Sequence, residues 1–74
     1  RGIAEFTVEG YNERAFISMN QQQVQQLEID DGNTIQVVDI DRNKPFAIVL
    51  PINAGNITFY DVNRNTVEYW NNPL

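Results

Sequence analysis

The five residues Phe46-Ala47-Ile48-Val49-Leu50 are apolar without interruption and are fenced by Pro45 and Pro51. A strand with one face in a core and one in water alternates. A run that is apolar on both faces therefore belongs at the centre of a closed barrel or forms half of a dimer core. Phe16 beside Ile17 and Val37 beside Val38 raise the same demand in two other segments. The chain has 74 residues and no cysteine, a size at which one hydrophobic core is marginal and no disulfide reinforces it. With 42% hydrophobic residues, closing the sheet or burying a face against a second copy both answer that demand, and a homo-oligomer is expected.

Around that run the rest of the chain reads as strands and turns. Ala4, Phe6 and Val8 alternate with Glu5, Thr7 and Glu9, the period of a half-buried strand, and Gly10 to Glu13 forms a turn into a second strand over Arg14 to Met19. Asn20 has the chemistry of an N-cap with Gln23 as its capping-box partner, and Met19 and Val24 are spaced as a hydrophobic staple. This predicts a short helix from Asn20 to Leu27, a lid whose apolar edge is Val24 and Leu27. Asp31-Gly32 ends it and starts a strand over Thr34 to Ile40, with Ile35 and Val37 on one face and Val38 and Ile40 on the other. Asp41 to Lys44 then turns that strand back as a hairpin into Phe46 to Leu50. Ile57 to Val62 and Thr66 to Trp70 form a last hairpin around Asn63-Arg64-Asn65, and Asn71 to Leu74 read as a frayed tail. The expected fold is mostly β, a small six-stranded barrel of three hairpins with one short helix, built from residues 1–74 as a single domain. Because the chain starts at Arg1 and Glu5-Phe6 has the form of a cloning junction, residues 1–5 read as a tag remnant, or the chain as a fragment.

Chemistry is sparsely provisioned. There is no histidine, no cysteine, and one serine, Ser18, placed inside a strand, so neither a general base nor an activated nucleophile is in view and no enzyme is expected. The preferred zinc ligands, histidine and cysteine, are missing. Asp39, Asp41 and Asn43 have the spacing that opens a calcium loop, but Lys44 stands where glycine is required and Leu50 where the bidentate glutamate belongs. No metal or cofactor is expected. The net charge is -5, and Arg1, Arg14, Arg42, Lys44 and Arg64 are scattered, which disfavours nucleic acid as a partner. No apolar run approaches the ~18 residues of a membrane span, so the chain reads as soluble, and nothing in it assigns a compartment. Tyr60, Tyr69 and Trp70 are amphipathic aromatics of the last hairpin and are the candidate interface residues.

The run Arg14-Ala15-Phe16-Ile17-Ser18-Met19, a short helix, then Leu27-Glu28-Ile29-Asp30-Asp31-Gly32-Asn33-Thr34-Ile35-Gln36-Val37 and the hairpin through Pro45 to Leu50 resembles the AbrB and MazE swapped-hairpin family, half of a double-psi barrel. The resemblance implies dimerisation by interleaved hairpins, with basic residues of the first hairpin on DNA. Here the corresponding segment, Phe6 to Ile17, has Arg14 as its one basic residue and carries Glu9 and Glu13. The leading expectation is therefore a non-catalytic protein–protein interaction or assembly module. It would homo-oligomerise or dock on a protein partner, as part of a larger assembly such as a viral one. A DNA-binding regulator or antitoxin is the alternative. Arg14 separates the two: it faces a phosphate in the regulator and a carboxylate, such as Glu9 or Glu13, in the module.

Overall fold

The computed structural model describes residues 2–73, and the side chains of residues 2–71. Eight strands follow in order: β1 (Ile3–Thr7), β2 (Glu13–Ser18), β3 (Val24–Asp30), β4 (Ile35–Asp39), β5 (Phe46–Pro51), β6 (Asn56–Asp61), β7 (Thr66–Val67) and β8 (Tyr69–Pro73). They form two four-stranded sheets, a first sheet in the order β5-β2-β1-β8 and a second in the order β4-β3-β6-β7. Three hairpins, β1·β2, β3·β4 and β6·β7, stay within a sheet, and the remaining connections cross between sheets. Every pairing is antiparallel except that of β8 with β1, where Ile3 stands beside Tyr69 and Ala4 beside Trp70.

The sheets face one another across one core. Ile3 and Phe16 enter it from the first sheet, and Val24, Leu27, Ile29, Ile57, Phe59 and Val67 from the second. Phe16 meets Phe59 edge to face across the layers with centroids 5.3 Å apart, and Tyr69 closes against Phe16 at 5.1 Å. Extents of 35 × 30 × 16 Å suit two layers whose backbones are separated by about 10 Å.

Several sequence expectations are corrected here. No closed barrel is found: there are eight strands rather than six, and each sheet ends in edge strands. The apolar run Phe46 to Leu50 is one of these edges, not a central strand; Phe46, Ile48 and Leu50 pack half-buried on the core while Ala47 and Val49 are exposed on the opposite face. No helix is present among the described residues. Asn20 and Gln23 both have positive φ, 59° and 56°, and make a tight turn instead. The Asn20 side chain, buried, accepts from the Val24 N–H at 2.7 Å and donates to the Val24 and Asp41 carbonyls at 3.1 and 3.0 Å, so it satisfies strand backbone and caps no helix. Val24 and Leu27, three apart, share a face of β3 because the register shifts between Val24 and Gln26; a β-bulge reproduces the spacing that suggests a helix.

With Val24–Asp30 extended, the Asp30 to Thr34 turn closes a β3·β4 hairpin, and the expected hairpin of residues 34–50 does not form. β4 pairs with β3 in the second sheet, and β5 pairs with β2 in the first. Residues 71–73, expected as a tail, continue β8 alongside β1; Arg1 and Leu74 lie outside the described residues.

Candidate interaction face

The first strand inverts the usual sense of its alternation. Ile3 and Glu5 point into the core, and Ala4, Phe6 and Val8 lie on the opposite side. Glu5 is only 6% exposed, and such a carboxylate needs a partner to stay charged. Arg14 on the adjoining β2 supplies it: its Nε donates to Glu5 Oε2, and its terminal nitrogens donate to the Gly55 carbonyl and the Tyr69 hydroxyl, each at 3.4 Å. Asn71 donates to the other Glu5 oxygen at 3.4 Å, and the guanidinium lies 5.1 Å from the Phe16 ring centroid. Burial disfavours the Arg14 charge, but hydrogen bonding and attraction to Glu5, with a contribution from Tyr69, outweigh it and raise the group above its ordinary value. Gly55 reaches this cluster at φ 130°, where an added Cβ would run into the Asp30 carbonyl, so only glycine fits.

With the charged side of β1 turned inward, its apolar side joins those of its neighbours on the outer face of the first sheet. Val8 and Tyr11 from the first hairpin, Ile17 and Met19 at the far end of β2, Val49 on β5 and Trp70 on β8 are all exposed there. Two shallow grooves flank Ile17. One of about 430 Å³ runs beside Phe6, Val8, Tyr11 and Val49; the other, about 300 Å³, lies beside Ala4, Met19 and Trp70. Charge borders this face at its two ends: Glu9 and Glu13 where β1 turns into β2, and Asp41, Arg42 and Lys44 in the turn from β4 to β5 beside Met19 and Asn20.

The outer face of the second sheet is different in kind. Gln26, Glu28, Thr58, Tyr60 and Thr66 face outward in register, and Arg64 covers them: its guanidinium is 4.3 Å from the Tyr60 ring centroid and 3.6 Å from Glu28, and it donates to Gln26. Ile35 and Val37 are exposed along the β4 edge, where they stand beside Asp30 and Glu28.

The expected interface trio is not brought together. Tyr69 packs half-buried against the core, Tyr60 lies under Arg64 on the second sheet, and Trp70 alone stands on the apolar face. Arg14 is paired with a carboxylate, but with Glu5 inside the sandwich and not with Glu9 or Glu13. Phe6, Val8, Ile17, Met19 and Val49 were not among the expected site residues, although apolar neighbours on both faces of β2 and β5 signalled them. None of the described residues forms a helix long and apolar enough to cross a membrane. No family model, curated protein or solved structure matches the chain.

Proposed function

We propose that this domain is a non-catalytic interaction module that docks on protein through the outer face of its first sheet. The observation that carries this reading is the inverted β1: a carboxylate occupies the core while Phe6 and Val8 are turned out to join Tyr11, Ile17, Val49 and Trp70. Patches of this extent mark interaction surfaces, because exposing them offers the fold nothing. The chemistry agrees, since the chain has no histidine or cysteine and the Ser18 hydroxyl already accepts the Asn20 N–H at 2.9 Å.

A face that serves docking should be dispensable for folding. The double variant Ile17→Lys/Val49→Lys, melted at high dilution by circular dichroism, should keep the melting temperature of the native monomer. The native monomer should bind an apolar fluorescent dye, and the variant should not. Unfolding of the variant, or a native monomer that leaves the dye dark, would show that these side chains serve the fold.

A further inference from the structure

Resting on that reading, we infer that the occupant of this face is a second copy of the chain, stacked face to face with its strands reversed. The area fits. From their exposed fractions, Val8, Tyr11, Ile17, Met19, Val49 and Trp70 present roughly 600 Å² of accessible surface, the order of the ~800 Å² that each partner contributes to a standard interface. A two-fold pair is the simplest way for one apolar patch to cover another of the same chemistry.

Charge then selects between the two ways a sheet can stack on its own copy. With the two-fold axis along the strands, like ends meet, and Glu9 and Glu13 of one copy oppose those of the other. With the axis across the strands, each acidic end lies over the Met19 end, where the turn from β4 to β5 holds Asp41 with Arg42 and Lys44 beside Asn20. On a chain of net charge -5 the second arrangement avoids an uncompensated cluster of four carboxylates. The axis then passes near the middle of β2, so Ala15 and Ile17 of one copy meet Ile17 and Ala15 of the other. Met19 of each copy enters the groove beside Val8, Tyr11 and Val49 of its partner, while Trp70 covers Phe6. Met19 is the most exposed large hydrophobic residue at its end of the sheet, 70%, and this seat gives it a surface to cover.

The test uses a matched pair of positions. Val49 and Val37 both sit on edge strands and both face outward, 59% and 51% exposed, one on each sheet. Sedimentation equilibrium should give a dimer for the native chain and for Val37→Lys, and at least a 100-fold higher dissociation constant for Val49→Lys. The sense of stacking is read by cysteine cross-linking, the chain having no cysteine of its own. Val8→Cys/Met19→Cys should oxidise to a covalent dimer and neither single variant should; efficient cross-linking of either single variant would overturn the reversed arrangement. Equal weakening by Val37→Lys and Val49→Lys would place the contact elsewhere and overturn the inference. A native chain that stays monomeric at high concentration would also overturn it. In that case a monomer that lights the apolar dye leaves the docking reading standing, and a dark monomer removes both.

Discussion

The two outer faces of this sandwich belong to sheets of equal strand number, and they are finished in opposite ways. On the second sheet Arg64 is shared among Tyr60, Glu28 and Gln26, and the two exposed apolar residues of β4 stand beside carboxylates. On the first sheet Glu5 and Arg14 answer each other inside, and the middle of the outer face is left apolar between charged turns. Both finishes satisfy the same core, so the difference is not needed to fold the chain. What a fold does not need is best explained by what the surface meets.

The largest effect should come from breaking the pair that sets this difference. Glu5→Gln removes the charge opposite Arg14 and leaves a largely buried guanidinium without its counter-charge, at a cost of about 3 kcal/mol in the unfolding free energy measured with denaturant. Replacing both members, Glu5→Leu with Arg14→Leu, should be neutral or stabilising while leaving the outer face as it is. A loss below about 1 kcal/mol for Glu5→Gln would mean that the pair is not what turns β1 over.

Asn20 should come next. It ties the end of β2 to Val24 at the entrance to the second sheet and to the Asp41 carbonyl on the return path, so it holds the two sheets in their relative places. Asn20→Ala leaves two carbonyls and an N–H without that partner and places alanine at positive φ; a loss of about 2 kcal/mol in urea unfolding is expected. Association should weaken only through the lost stability. A variant that stays fully stable yet no longer dimerises would locate the interface nearer Asn20 than the grooves at Ile17.

What the sequence made legible divides along similar lines. Turns were readable, because their chemistry is local: Asp30, Asp31 and Asp41 each accept the N–H two residues on, at 2.8 or 2.9 Å, in the expected turns, and Asp61, at the end of an expected strand, does the same for Asn63 at 2.8 Å. The two faces of residues 34–40 were readable too, with Val38 and Ile40 on the core and Ile35 and Val37 outside. The helix expectation failed because a β-bulge at Gln25 imitates helical spacing, and once β3 was missing, β4 and β5 appeared to be each other's partners. The surplus of apolar faces was visible in the sequence, but its address was not. Alternation in β1 does not tell which side is the core until Arg14 is seen to reach Glu5 across the sheet, a contact between residues nine apart.

A smaller effect tests the polar face. Arg64→Ala removes a partly exposed ion pair and a cation–π contact with Tyr60, which together should contribute about 1 kcal/mol or less. The variant should sediment as the native chain does. A marked change in mass for Arg64→Ala, with none for Val49→Lys, would exchange the roles of the two faces.

The smallest effect concerns pH and the turn that closes the polar sheet. Asp31 accepts the N–H of Thr34 at 2.9 Å and of Asn33 at 2.8 Å, and these bonds hold its carboxyl below its ordinary value of 3.8. A carboxylate whose folded value is lowered stabilises the fold fully above the unfolded value, and that contribution is lost as pH falls through the folded one. Asp31→Asn keeps an oxygen that can accept and removes the charge, so the native chain should melt slightly higher than the variant at neutral pH. The gap should be flat above about pH 5 and should close below the ordinary carboxylate value. Because Asp31 is fully exposed in the β3–β4 turn, away from the grooves at Ile17, the dissociation constant of the dimer should be the same for both proteins at neutral pH. A melting difference that persists unchanged into acid would show that the turn depends on the shape of the Asp31 side chain and not on its charge.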